Sequence, residues 1–251
     1  MNRIDGIRLK IERAKKHIRD LDHRIEIFGE SKPYTIGAKP HTVPEIKHTT
    51  LYVASVSTIP DDFALIIGDA IHNLRSSLDH LVWQLVEAGG GTPNERTAFP
   101  ICFGAKGPQQ YASAIGSGEI KAMPPDAEKA LRAIQPYVTS DDTLWHLHDL
   151  DRIDKHRLII AVGTALLDWH VSVSEDLTIP FPTTPRHLIA GYEIVNIPTA
   201  TYERTGHQNF KLGIDIAFGE SEIVAGKPVL ETVNYMAQFV GSIVASFECF
   251  L

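Results

Sequence analysis

The chain has 251 residues, of which 43% are hydrophobic and 22% are charged. This length and composition are enough to bury a sizeable core, so disorder is not the default expectation. The formal net charge of −7 argues against a protein that coats nucleic acid over its whole surface, although it allows a local basic cleft. Two cysteines, Cys102 and Cys249, are too few for a disulfide framework or a cysteine-based zinc cluster, which favours a reducing, cytoplasmic location.

The sequence predicts neither a membrane span nor a secretory signal. The longest apolar segment, at 158–167, is well short of the roughly 20 residues that cross a bilayer, and charges flank it. The N-terminal region carries charges every few residues and has no uninterrupted apolar core, unlike a signal peptide. We therefore expect no membrane partner.

The first half of the chain predicts two long helices separated by β structure. Residues 2–28 place isoleucines and leucines at helical spacing among charged residues, which is typical of an amphipathic helix. The segment 33–57 is rich in Thr and Val between prolines and predicts one or two strands. Asp61 and Asp62 then cap a helix that runs to about Glu87, where a run of glycines ends it.

The following segments predict short elements and then a third long helix. Residues 92–122 contain several prolines and glycines, which indicates a loop with short elements. A short helix is predicted from Pro124 to about Tyr137. A longer helix is predicted over 142–167, with its cap between residues 140 and 142.

The remaining sequence completes a prediction of an α+β fold, a helical bundle with a small antiparallel β-sheet. Period-two patterns across 170–224 predict the sheet, with the segment near 33–57 as further β structure. An apolar segment at 229–251 predicts a mostly buried closing helix. Because no internal repeat or linker interrupts the chain, we expect a single domain over 1–251.

The helix predicted over 61–87 has two different faces. One face is apolar and carries Phe63, Ile67, Ile71, Leu74, Leu78, Leu81, Val82 and Leu85. The opposite face carries Asp69, His72, Asn73, Arg75, Ser76, Asp79 and His80. A solvated helix face is normally rich in Lys and Glu, and between residues 69 and 80 this face has neither. Its residue types suit proton transfer and phosphate or metal binding, but they equally suit a structural Arg75–Asp79 pair with buried histidines.

The segment from Arg75 to His80, RSSLDH, has the form R-x4-H. It resembles the signature of the HEPN superfamily of helical-bundle domains, many of which are metal-independent endoribonucleases. The resemblance implies that Arg75 and His80 act on RNA without a metal or cofactor, in a site completed across a homodimer. At one turn of spacing, Asp79 can hold Arg75 and Ser76 can orient His80. The chain also resembles a family of uncharacterised bacterial proteins with an HNLRSxLDH helix and a later DKHR helix, which implies no activity.

The helix predicted over 142–167 carries a second group of polar residues. Its angular spacing places His148, Asp149, Arg152 and His156 opposite the leucines. Asp154 projects among the leucines, and Arg157 follows at (i, i+3), which predicts a buried or half-buried ion pair that braces the structure. If the two polar helices are antiparallel neighbours, they form one polar seam that contains His72, Arg75, His80, Asp149, Arg152 and His156.

Three functions remain open at this level, and the sequence does not decide whether the chain is an enzyme. The first is a metal-independent endoribonuclease of HEPN type, with the catalytic set Arg75, His80, His72 and Asp79. Its supporting set is Asp69, Asn73, Ser76, Asp149, Arg152, Asp154, His156 and Arg157. The second is a non-catalytic module that binds RNA, a nucleotide or a protein. The third is a metal-dependent hydrolase with ligands His72, Asp79, His80 and His156, although no H-E-x-x-H or phosphate-loop motif is present.

Overall fold

The structure is a computed structural model. The residues that it describes are 3–43, 45–104, 106–116, 120–137, 142–166, 186–187, 189–205, 213–219 and 224–251. In these ranges the helices are α1 (Arg3–Glu30), α2 (Asp61–Ala88), α3 (Gly107–Gly116), α4 (Pro125–Ile134), α5 (Thr143–Asp154), α6 (Thr199–Thr205) and α7 (Val229–Phe247). The strands are β1 (Tyr34–Val43), β2 (Ile46–Val56), β3 (Ala161–Leu166), β4 (Arg186–His187), β5 (Glu193–Pro198) and β6 (Gly213–Phe218). The predicted α+β fold is confirmed.

The chain divides into two compact units, each built from separate segments. The helical unit comprises Met1–Leu21, Ala64–Ile159 and Leu230–Leu251. The β unit comprises Asp22–Phe63 and Ile160–Val229. The expectation of a single domain over 1–251 stays a prediction.

The core of the helical unit consists of apolar stripes on its long helices. All eight residues predicted for the apolar stripe of α2 are buried, and Leu74 and Leu78 are 0% exposed. The stripe of α1 is buried at Ile4, Ile7, Ile11, Ile18 and Leu21, and that of α7 at Val233, Met236, Val240, Val244 and Phe247. Among the described residues, no helix is long and apolar enough to cross a membrane.

Glycines end α2, as the sequence predicted. Gly90 adopts a φ of 82°, a left-handed conformation that glycine reaches without steric cost. The N–H of Gly90 donates to Glu87 O at 3.1 Å, and the N–H of Gly91 donates to Val86 O at 2.9 Å. These bonds satisfy carbonyls that the last turn of a helix leaves without partners.

In its described residues, the β unit contains two three-stranded sheets, whose strand orders are β1-β2-β5 and β4-β3-β6. Every described pairing is antiparallel. Val53 is fully buried, and Tyr34, Ile36, Val56, Tyr192 and Ile194 pack against it. The strands predicted near 33–57 are therefore confirmed, and so are strands at 193–198 and 213–218 within the predicted region 170–224. The period-two pattern at 170–181 lies outside the described residues.

The helix predicted over 142–167 is wrong beyond Asp154. There α5 ends, and the N–H groups of His156 and Arg157 both turn back to Ile153 O at 2.9 Å. Ala161–Leu166 forms β3, which pairs with β6 from Ala161↔Phe218 to Leu166↔Gly213. A short apolar run fits a helix and a strand equally well by periodicity, and pairing with a distant strand decides between them. The short helix α6 also was not predicted.

We expect Leu78→Ala to lower the free energy of unfolding by about 2–5 kcal/mol, because it leaves a cavity in a fully buried stripe. Leu65→Ala is the matched control, since Leu65 lies on the same helix and is 54% exposed. Urea denaturation followed by circular dichroism measures both. Equal losses in the two variants would contradict the packing described for α2.

Candidate functional site

Helices α2 and α5 of the helical unit are antiparallel neighbours, as the expected polar seam required. His72 of α2 contacts Asp151 of α5, with 3.0 Å between Nδ1 and Oδ1. One turn earlier on α2, Gly68 lies against Asp154, and a Cβ at Gly68 would overlap the Asp154 carboxylate. Later residues of α5 therefore contact earlier residues of α2, which makes the two helices antiparallel. Glycine at 68 allows the close approach.

The His72–Asp151 contact joins an exposed imidazole to a buried carboxylate. The His72 side chain is 53% exposed, whereas that of Asp151 is 4% exposed. Because a carboxylate oxygen accepts, Nδ1 of His72 is the donor, and in the neutral imidazole the lone pair is then on Nε2. Lys155 Nζ donates to the other oxygen of Asp151 at 2.6 Å. The carboxylate thus fixes both the tautomer and the orientation of the imidazole.

Two ion pairs on α5 present their cations to solvent and bury their anions. Arg152 is 61% exposed, and its partner Asp149 is 6% exposed. Arg152 Nε donates to Asp149 Oδ1 at 2.7 Å. Lys155 is 56% exposed above the buried Asp151. The exposed groups of these two pairs are therefore the cations, although the chain carries a net charge of −7.

Arg75 is part of a buried clamp that fixes a loop on α2. The residue is 8% exposed. Its Nη1 donates to Asp79 Oδ1 at 2.5 Å, and its Nη2 donates to Phe99 O at 3.0 Å. The N–H of Phe99 in turn donates to Asp79 Oδ1 at 2.8 Å. These contacts favour the structural interpretation of the Arg75–Asp79 pair that the sequence left open.

The structure does not bring Arg75 and His80 together. Five residues along a helix correspond to a rotation of about 140°, so the two side chains leave α2 in different directions. His80 is exposed. The pKa of His80 is lowered, mainly by partial burial and then by the charge of Lys10 on α1. The charge of Asp79 acts in the opposite direction. The catalytic role that the resemblance implies for this pair stays a prediction.

The other predicted residues of α2 lie toward α1 or bond within their own helix. Asp69 Oδ2 lies 4.0 Å from Nδ1 of His17 on α1. Asn73 Nδ2 donates to the carbonyl of Asp69 at 2.7 Å. Ser76 is half-buried. None of these contacts joins the His72–Asp151 pair.

The end of α5 changes the roles expected for three residues. His156 and Arg157 follow the last turn of the helix and are exposed, so they do not extend a polar seam along α2. A buried or half-buried Asp154–Arg157 pair was expected on a helix that continues through Arg157, and this expectation is wrong because the helix ends at Asp154 and Arg157 is exposed. The charged groups that act on Asp154 are Asp151, Asp69 and His72. Burial is the largest cause that raises the pKa of Asp154, followed by Asp151.

In the described ranges, no group of three or more His, Cys, Asp and Glu residues is arranged to hold a metal ion. The four ligands considered for a metal-dependent hydrolase have separate surroundings. His72 contacts Asp151, and Asp79 binds Arg75 and the Phe99 backbone. His80 faces the charge of Lys10, and His156 lies beyond the end of α5.

The structure adds two residues that the predicted site did not contain, Asp151 and His148. His148 is half-buried, and its Nδ1 is buried without a hydrogen-bond partner. Burial is the largest cause that lowers its pKa, followed by the charge of Arg75. His148 and Asp151 are three residues apart on α5, and this spacing is the sequence signal that could have identified them as neighbours.

No protein-family model, curated protein or solved structure matches this chain. The geometry of the helical unit is therefore the basis for a functional proposal.

We expect Asp79→Ala to lower the free energy of unfolding by about 1–3 kcal/mol, because it removes the acceptor of both Arg75 Nη1 and the Phe99 N–H. Glu128→Ala is the matched control. It removes an exposed (i, i+4) pair with Arg132 of the kind that contributes about 0–1 kcal/mol. Chemical denaturation compares the two, and an equal effect would contradict the clamp.

We expect His148 to make folding less favourable in acid. Its pKa in the folded chain lies below the ordinary value of 6.5, so below that pH the unfolded chain holds a proton that the folded chain does not. Stability is therefore full above 6.5 and falls as the pH decreases toward the lowered pKa. In His148→Gln, the free energy of unfolding should fall less over this range than in the wild type. An NMR titration of His148 with its midpoint at or above 6.5 would overturn this expectation.

Proposed function

We propose that the helical unit carries a metal-independent site that binds and cleaves RNA, with His72 as the general base. The observation that carries the proposal is the exposed His72 imidazole held at 3.0 Å from the buried Asp151 carboxylate. A buried carboxylate on Nδ1 is the arrangement that orients an imidazole for proton transfer at Nε2.

The reaction suited to this pair is attack by the RNA 2′-hydroxyl on the neighbouring phosphorus. Nε2 of His72 accepts the proton of the 2′-hydroxyl, the bond between O2′ and phosphorus forms, and the bond from phosphorus to O5′ breaks. The leaving O5′ takes a proton from a water molecule, the hydroxide that remains takes the proton from the His72 imidazolium, and the products are a 2′,3′-cyclic phosphate and a 5′-hydroxyl. The imidazolium that forms on His72 is stabilised by Asp151.

Lys155 and Arg152 are the cations suited to the phosphate. Lys155 and His72 bind the two oxygens of one carboxylate, so an ammonium group lies close to the base. Arg152 lies one turn earlier on α5 and is 61% exposed. A cation on the phosphate offsets the charge that develops on its oxygens during attack. Arg75, which the resemblance implies for this role, binds Asp79 and Phe99 O instead.

Further parts of the proposal follow from the sequence. RNA is the proposed substrate, the cytoplasm is the proposed location, and the homodimer that the resemblance implies stays a prediction. A non-catalytic RNA-binding module would use the same exposed cations and differs only in the absence of cleavage.

The test incubates the purified chain with mixed single-stranded RNA in the presence of a chelator. We expect His72→Gln to lower the cleavage rate by about 10²–10⁴-fold, the usual contribution of a general base. Asp151→Asn should also lower the rate, because the amide can present its N–H groups to Nδ1 and favour the other tautomer. His80→Gln is the matched control, a histidine on the same helix, and should leave the rate unchanged. Circular dichroism checks that each variant is folded.

The other outcomes assign the function differently. Loss of cleavage in His80→Gln, with His72→Gln unaffected, would place the centre at the R-x4-H pair. Cleavage that appears only when divalent metal is added would support the metal-dependent alternative. Binding of RNA without cleavage would leave a binding module.

A further inference from the structure

Two aromatic rings, those of Phe103 and Trp145, stack on the side of α5 that carries Arg152. Phe103 lies on Trp145 with 4.6 Å between ring centroids and 14° between ring planes. Phe103 is 43% exposed, although Trp145 covers one face of its ring. Nearly parallel rings of this kind leave a flat aromatic surface toward solvent.

This aromatic pair lies on the same side of α5 as the exposed side chain of Arg152. Trp145 and Arg152 are seven residues apart, which corresponds to two turns and a net rotation of about 20°, whereas Asp151 lies about 120° around the axis from Trp145. Seven residues of helix extend about 10 Å along the axis. Because stacked nucleotides rise about 3.4 Å each, this distance suits a short single strand of about three nucleotides.

We propose that Phe103, stacked on Trp145, is a base-stacking subsite for single-stranded RNA bound at the His72–Asp151 site. The inference rests on the proposed function, since it takes RNA as the ligand. Single-stranded nucleic acids bind where aromatic side chains for the bases adjoin cations for the backbone. Both are present on this side of α5, in the Phe103–Trp145 pair and in the exposed Arg152 and Lys155.

The test measures binding separately from cleavage. A fluorescent single-stranded RNA with 2′-O-methyl groups lacks the attacking hydroxyl and cannot be cleaved by the proposed route. Its affinity for the full chain is measured by anisotropy beside that of the same oligonucleotide with abasic positions. We expect the wild type to bind the intact oligonucleotide roughly tenfold more tightly than the abasic one, the usual scale for one stacked base.

Phe103→Leu should remove this preference, because leucine keeps apolar volume but offers no aromatic face. Tyr235→Leu is the matched control. Tyr235 is 51% exposed and stacks on Phe239 with 6.1 Å between ring centroids, as an aromatic pair on α7 of the same unit. The control should retain the preference for intact RNA. Thermal unfolding of each variant checks that it is folded.

The outcomes separate the two proposals. Cleavage that depends on His72, with equal affinity for intact and abasic RNA, would overturn the subsite and leave the proposed function standing. Base-dependent binding lost in Phe103→Leu, without any cleavage, would support the subsite and overturn the cleavage proposal. A wild type that binds neither oligonucleotide would overturn both.

Discussion

The burial of two carboxylates on one short helix is the constraint on which the helical unit depends. Asp149 and Asp151 of α5 are 6% and 4% exposed at their side chains, and an ionised carboxylate in such surroundings is costly unless cations and donors surround it. Arg152 and Lys155 provide charge from the same helix. His72 provides a donor from α2, so the need of Asp151 for partners joins the two helices.

Burial also determines what the guanidinium groups of Arg75 and Arg152 can bind. Arg75 is 8% exposed and uses its guanidinium on Asp79 and the Phe99 backbone, which holds a loop against α2. Arg152 pairs with a buried anion but keeps most of its side chain in solvent. Bidentate recognition of phosphate needs an accessible guanidinium, and Arg152 meets this requirement where Arg75 does not. Burial, more than the R-x4-H spacing, therefore indicates which cation is suited to a ligand.

The sequence predicted those elements whose signals are local. Helical spacing and the glycines at 89–91 define α2, and alternation between prolines defines β1 and β2. The end of α5 had no such local signal, because residues 154–160, DKHRLII, contain neither glycine nor proline. The strand conformation of β3 depends on its pairing with β6, which is distant in sequence. For the site, periodicity predicted the polar face of α2 and a seam with the third long helix. It could not predict that Asp151 lies against His72, since angular position does not show which polar residue a neighbouring helix buries.

At the α2–α5 contact the pKa of His148 is lowered and the pKa of Asp154 is raised. Both shifts favour the neutral form of the group in the folded chain. His148 has a lowered pKa, mainly through burial, so it opposes folding once the pH falls below 6.5. Asp154 has a raised pKa, mainly through burial, so its ionisation opposes folding as the pH rises through that raised value. At neutral pH the buried imidazole therefore adds no positive charge beside Arg75. A neutral imidazole can accept a proton, but Nδ1 of His148 is buried whereas the His72 side chain is exposed, and the proposed chemistry is therefore assigned to His72.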